Sequence, residues 1–394
     1  LDSGESASKN EVTKKAPNPL PIASGGRVPA KETMPKKYMS AVLVFLYGCA
    51  TLQFIRYYCK STDFYLNMTA YLTGRERLPF QERVLPILLL KPMYSSQWLM
   101  GHLAHRNGAF TPELGPVYAL ALVAVLIAGI YTQKLYGLVS SRHSLSFLVY
   151  PIFLFAVMWT YAIHSEADFA YPYDLPGVAF FAAGLYYIYK RSYAGLFLVI
   201  LIGTFNRETT LFLIGIYVID SASRAVLSPR MSSQPNMMLS GSTGLKDRFD
   251  LRLVSWGRVA VLAVIWASIK LLLTHHFARN SNDENFLRIE YNLRRLNPRL
   301  LPALLNICGY TLPLVLLFYK RLKPIRFQNY LWIVAAWLPI MFCSGVLVET
   351  RIYGELCPFA AVALVLIIEE SATRTKGKQP ILHERSEVAE RMVA

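Results

Sequence analysis

The segment Arg83–Arg106, RVLPILLLKPMYSSQWLMGHLAHR, is apolar enough to cross a bilayer, and its reading sets the side of every later loop. Pro86, Lys91 and Pro92 interrupt it. Proline removes a backbone donor and clashes with the preceding helical turn, and a lysine in mid-segment is costly in hydrocarbon. Counting the stretch as a span would also turn the later basic loops outward. We read it as helices lying at the outer interface.

The composition around it is that of a polytopic membrane protein. Over 394 residues, 54% are apolar and 13% aromatic, with a mean hydropathy of +0.33, far above an ordinary soluble chain. Apolar stretches of spanning length are bounded by charge, proline or aromatic residues rather than by hairpin turn chemistry, which argues for helices and against an outer-membrane barrel. The expected fold is all-α, with about ten spans near 38–57, 116–137, 144–164, 174–190, 193–206, 209–223, 258–276, 301–319, 328–348 and 352–369. The pair 193–206 and 209–223 is split by Asn206-Arg207-Glu208 and reads as two thin helices or a hairpin. The first span follows a polar tail too long for a cleavable signal peptide. Five cysteines show neither metal spacing nor a disulfide framework and read as packing residues.

With the N-terminus placed in the cytoplasm, the cytoplasmic segments carry about twice the lysines and arginines of the outer ones. The formal charge of +16 is thereby explained as a positive-inside signal with attraction to anionic lipid. No basic groove with interleaved aromatics points to nucleic acid. The organisation expected is a cytoplasmic tail (1–37), a membrane module (38–370) with outer loops 58–115, 165–173 and 277–300, and a second cytoplasmic tail (371–394). The tails are candidate docking segments for membrane-protein partners.

On this topology most unpaired polar chemistry faces outward: Asp63, Glu82-Arg83, Glu166, Asp168, Asp174, Asn206-Arg207-Glu208, Glu349-Thr-Arg351 and Glu355. Asp63 precedes Phe64, Met68, Tyr71 and Leu72, whose spacing predicts an amphipathic helix on the membrane with Asp63 at its N-terminal end, as a cap or as a catalytic group. HSEADFAYPYD, His164–Asp174, holds three carboxylates. His164, Glu166 and Asp168 alternate onto one face of an extended chain; a histidine there also fits an aromatic belt, and two carboxylates suit Mg²⁺ or Mn²⁺ better than zinc. Asp174, just ahead of Leu-Pro, reads as a helix cap. In the third long outer loop, Phe286, Ile289, Leu293 and Leu296 predict a further interfacial helix presenting Arg288, Arg294 and Arg295 to headgroups or a glycan phosphate. Asn67-Met-Thr69 fits a glycosylation sequon.

Three stretches carry a resemblance: Asp63 with the Tyr-Leu, Ala-Tyr-Leu and Gly…Pro…Arg residues behind it; YKRSYAGLFLVILIGTFNRETTLFLIGIYVI (Tyr189–Ile219); and ETRIYGELCPFAAVALVLI (Glu349–Ile367). In layout the chain resembles the GT-C superfamily of integral-membrane glycosyltransferases over about residues 38–370, without the soluble domain that many of them carry. The resemblance implies a polyprenyl-phosphate or diphosphate sugar donor, a glycan, lipid or protein acceptor, transfer on the non-cytoplasmic face of a bacterial inner membrane, and Asp63 as base. It implies that Glu166 and Asp168 hold an acceptor or a Mg or Mn ion, although some of these enzymes need no metal. Arginine suits a leaving phosphate through its bidentate fork, and Arg207, Arg351 and Arg83 each stand beside a glutamate (Glu208, Glu349, Glu82) able to orient them. Competing readings are an O-antigen-type polymerase or ligase, a transporter, and a non-catalytic subunit. Polymerases and ligases concentrate function in one late outer loop, and transporters show internal repeats that are not found here.

Overall fold

The computed structural model describes residues 36–61, 63–64, 66–104, 114–163, 169–223, 248–282, 287–296 and 300–376. Its contacts divide the chain into Leu1–Val42, described from Lys36 as the start of a helix, and Leu43–Ala394, which carries every interaction discussed below.

The described residues are 79% helical, and the described strands are two residues each, so the class is all-α. In order the elements are α1 (Lys36–Ser61), β1 (Asp63–Phe64), α2 (Met68–Leu72), α3 (Leu85–Ser95), α4 (Gln97–Ala104), α5 (Gly115–Val139), α6 (Ser146–Ala162), β2 (Phe169–Ala170), α7 (Asp174–Tyr189), α8 (Tyr193–Thr204) and α9 (Leu211–Ala222). Then follow α10 (Trp256–His276), α11 (Ile289–Arg294), α12 (Leu300–Leu305), α13 (Thr311–Leu317), α14 (Ile325–Gln328), α15 (Trp332–Ser344) and α16 (Cys357–Lys376). Short 3₁₀ turns join several of them, notably Phe80–Glu82, Glu208–Thr210 and Thr350–Leu356.

Among the described residues, five helices are long and apolar enough to cross a membrane, rather than about ten: Tyr38–Tyr58, Gly115–Val139, Trp256–His276, Ile325–Ser344 and Thr350–Thr373. The remaining expected spans are shorter helices. α6 and α7 have 17 and 16 residues, and α8 and α9 only 12 each. The stretch 301–319 is not one helix, because Cys308, Gly309 and Tyr310 all take positive φ (53°, 60° and 63°) and break it into α12 and α13. Left-handed backbone cannot continue a right-handed helix. Residues 83–104 of the interrupted segment fold as two short helices, α3 and α4, that part at Ser96; Pro86 lies in the first turn of α3 and Pro92 inside it.

α7 is buried on nearly every face and packs most extensively on α5. Both helices bury small residues, Ala121, Ala124 and Ala128 on α5 and Ala179, Ala182 and Ala183 on α7, which lets apolar helices approach closely without bulky side chains between them. α16 is the other central element, with Phe359–Ala363 at 1% exposure or less. Its Glu369 accepts from Tyr136 (2.5 Å), Ser140 (2.9 Å), Ser144 (2.8 Å) and the Leu145 amide (3.2 Å), pinning the α5–α6 turn. The far end of α9 is fixed by Asp220, which takes both arms of Arg326 at 2.7 and 2.8 Å and the hydroxyl of Tyr330 at 2.6 Å. These contacts hold rigid the helices whose other ends build the site.

Candidate functional site

Parallel pairing of β1 with β2 is the first link, with Asp63 in register with Phe169 and Phe64 with Ala170. Behind β2 the chain runs through Tyr171 and Tyr173 into α7. Those two tyrosines join Leu66, Tyr71 and Phe80 in a small apolar core, separate from the main one. Phe80 stacks on Tyr171 at 5.5 Å, and Tyr171 lies 5.2 Å from Tyr173. The Tyr71 hydroxyl donates to the Arg83 carbonyl. The stretch from Leu66 to Arg83 is thus clamped onto the segment that opens α7.

The loop is tied down twice more. Leu85 donates its amide to Phe205 at 3.0 Å, at the end of α8. Beyond α10, Asn280 donates to the carbonyls of Gly74 (3.0 Å) and Glu76 (2.7 Å). Lys270, on α10, meets Glu82 at 2.6 Å, and Thr274 donates to the same carboxylate at 2.7 Å.

This packing gathers a group of buried charges. Asp174, fully buried, lies 3.2 Å from Arg207 through Oδ1 and 3.6 Å from Arg351 through Oδ2. Arg207 also meets Glu355 at 3.1 Å, and Thr209 donates to that glutamate at 2.9 Å. Arg351 reaches Glu349 at 2.7 Å. Arg83 pairs with Glu208 at 3.0 Å. Two of the arginines lie over aromatic faces, Arg83 at 4.1 Å from Tyr173 and Arg351 at 4.3 Å from Tyr171. A guanidinium over a ring gains from the negative face of the π system. Asn206 donates to the Tyr173 carbonyl at 2.9 Å, closing the hinge onto α7.

A Cβ on Gly177, one turn into α7, would meet Glu355 at 3.4 Å and Asn206 at 3.5 Å, ordinary van der Waals contact, whereas one on Gly354 would clash with the Tyr161 ring and hydroxyl. Several buried polar atoms of the cluster lack a hydrogen-bond partner, among them Nε of Arg83, Arg207 and Arg351, Asp174 Oδ2, Asn206 Oδ1 and Glu355 Oε2. Unpaired buried polar groups are costly and invite a ligand or ordered water.

Burial alone would weaken the charge on Arg83, but Glu208 beside it more than offsets this and raises the guanidinium further. Burial would likewise raise the Glu208 carboxyl; Arg83, Lys270 and Arg207 overcome that and hold it well below the usual carboxylate range. Burial raises the Tyr71 phenol above its ordinary value, with Arg83 opposing the shift.

Several expectations change. Arg207 pairs with Asp174 and Glu355 rather than with its neighbour Glu208, and Arg83 pairs with Glu208 rather than with Glu82. Of the three adjacent pairs, Arg351–Glu349 is formed as written. Asp174 is not a cap: it is the first residue of α7 and bridges two arginines. Asp63 lies in a strand rather than at a helix start, and α2 is capped instead by Asn67, which accepts from Ala70 at 3.0 Å. The interfacial helix of the third outer loop is only the six-residue α11, with Asn292 donating to Phe342 and Gly345 at 2.8 Å. His164, Glu166, Asp168, Phe286 and most of both tails lie outside the described residues. Among the described residues, no three His, Cys, Asp or Glu side chains gather as a metal group.

The partners that sequence reading missed are Lys270 and the central role of Asp174. Lys270 carried a signal, being a lysine deep inside an apolar helix.

Comparison of the chain with protein-family models, with curated proteins and with solved structures returned no match.

Proposed function

We propose that this chain is a membrane glycosyltransferase of GT-C type, moving a sugar from a polyprenyl-phosphate donor to an acceptor on the non-cytoplasmic face of the membrane. One observation carries the reading: the β1–β2 pairing sets Asp63 in register with Phe169, on the strand that leads through Tyr171 and Tyr173 to Arg351 and Arg83. That register supports reading Asp63 as the base beside two candidate phosphate ligands.

The chemistry needs both. Asp63 takes the proton of the acceptor hydroxyl as its oxygen attacks the anomeric carbon. The bond from that carbon to the phosphate oxygen breaks, its electron pair stays on the phosphate, and an arginine stabilises the charge that develops.

Burial ranks the arginines. Arg207 is 7% exposed and its partners Asp174 and Glu355 are at 0% and 1%, so it serves as the structural centre. Arg83 and Arg351 have partners nearer the surface, Glu208 at 37% and Glu349 at 18%. Four cations (Arg83, Arg207, Lys270 and Arg351) already face five carboxylates (Glu82, Asp174, Glu208, Glu349 and Glu355). A phosphate therefore enters by displacing a carboxylate, and Glu349 and Glu208 are the ones placed to yield.

The test uses membranes containing the full chain and a panel of polyprenyl-phosphate hexoses radiolabelled in the sugar. We expect label to leave the lipid with the wild type, and Asp63→Asn to slow this by about 10²-fold or more, the usual range for a lost general base. Equal turnover by the variant would refute the role of Asp63. Absence of transfer from every donor would favour the non-catalytic subunit.

A further inference from the structure

At the other end of α8 from Arg207, a cavity of about 200 Å³ opens between the α7–α8 turn, the end of α9 and the turn ahead of α10. Arg191, Ser192, Tyr193, Tyr217, Ser255 and Arg258 line it. One carboxylate, Asp220, also faces it, but Arg326 and Tyr330 already meet that charge at 2.6 to 2.8 Å. The other formal charges in the wall belong to two arginines, Arg191 and Arg258.

Those arginines are positioned. The Arg258 guanidinium lies 5.3 Å from the centre of the Tyr193 ring, and the Tyr193 hydroxyl donates to the Arg258 carbonyl at 3.2 Å. Arg191 takes φ 59°, in the left-handed region where a bulky residue is uncommon. Leu253 of the lining is exposed, as are its near neighbours in sequence Leu251, at 60%, and Trp256, at 54%. Trp256 also begins a helix long and apolar enough to span the membrane. A tryptophan at such a helix end belongs at the headgroup level, so the cavity lies where lipid phosphates lie. Farther along the same helices, Leu198 and Ile202 of α8 and Val261 and Val264 of α10 expose apolar surface to acyl chains.

We propose that this cavity holds the phosphate of an anionic phospholipid, with Arg191 and Arg258 as its ligands and its acyl chains along α8 and α10. Arginine binds phosphate through a planar fork, and the serine and tyrosine hydroxyls supply neutral donors for the remaining oxygens. This site is independent of the donor site at Arg83 and Arg351.

The experiment places the full chain in nanodiscs of equimolar phosphatidylglycerol and phosphatidylcholine and counts retained lipids by native mass spectrometry. The wild type should retain phosphatidylglycerol preferentially, by roughly fivefold for each arginine. Arg191→Gln with Arg258→Gln should abolish the preference, and the double lysine variant should keep most of it. In the wild type, a photoreactive phosphatidylglycerol should crosslink to the α7–α8 turn or the start of α10. Equal retention of both lipids by the wild type, or crosslinks only elsewhere, would overturn the proposal whether or not the glutamine variant folds. Loss of the retained lipid to excess inorganic phosphate would instead mark a free-phosphate site and overturn the lipid assignment.

Discussion

Replacing Asp174 by asparagine keeps the shape of the side chain and removes a charge that two arginines share. Their contacts at 3.2 and 3.6 Å each represent roughly 5 kcal/mol of attraction at an effective dielectric of about 20. Desolvation of the three ions offsets much of that sum, and Glu355 and Glu349 still partner Arg207 and Arg351 in the variant. Breaking a buried pair outright leaves an uncompensated charge and costs about 3–5 kcal/mol; with both arginines keeping a carboxylate, we expect a smaller loss, about 1–3 kcal/mol. The assay is reversible unfolding in mixed micelles, followed by circular dichroism against the mole fraction of SDS. Asp174→Asn, Arg207→Met and the double variant complete a cycle, in which residues in direct contact should couple by about 1–3 kcal/mol. A loss below about 1 kcal/mol, the scale of solvent-exposed pairs, would show that the cluster is hydrated and that Arg207 is not its structural centre.

Further outcomes follow from the same geometry. Glu349→Gln frees Arg351 from its 2.7 Å partner, so the Km for a polyprenyl-phosphate donor should fall severalfold; a rise would mean that Glu349 orients the arginine instead of competing with phosphate. Glu208, held below its ordinary value of 4.5, contributes stability that is complete above that pH and is lost as pH falls through its lower folded value. Melting scans from pH 7 to pH 3 should show the onset of this loss below the ordinary value in the wild type, and Arg83→Gln should remove most of it. Gly354→Ala drives a Cβ into Tyr161 and should cost about 1–3 kcal/mol by overpacking; an unchanged unfolding midpoint would contradict the close contact of the 3₁₀ turn with α6.

The class and the hinge at Asn206–Glu208 were legible because each rests on local rules: hydropathy over a window, a charge between apolar runs. The break after α3 falls at Ser96, past both prolines. The charge pairing was not legible. Adjacent side chains on helices and strands point apart, so Glu82-Arg83 and Arg207-Glu208 could not pair as neighbours and found partners far along the chain. Glu349 and Arg351, two residues apart at the entry to a 3₁₀ turn, do meet. Asp174 looked like a cap because its sequence context is local, whereas Arg207 and Arg351 reach it only through the packing of three helices. The break at Cys308–Tyr310 escaped reading because two of its three left-handed residues are not glycine.

The length of α8 has a consequence for access. Its 12 residues rise about 18 Å, so with Tyr193 at one edge of a hydrocarbon slab of about 30 Å and α8 along the membrane normal, the end of α8 would fall roughly 12 Å short of the far edge. A carrier-borne sugar would therefore enter sideways from among the acyl chains, while a water-borne acceptor must descend to meet it. On the proposed function, host-membrane thickness would tune turnover: shorter acyl chains bring water nearer the hinge and should speed transfer, and longer ones should starve the reaction of its acceptor.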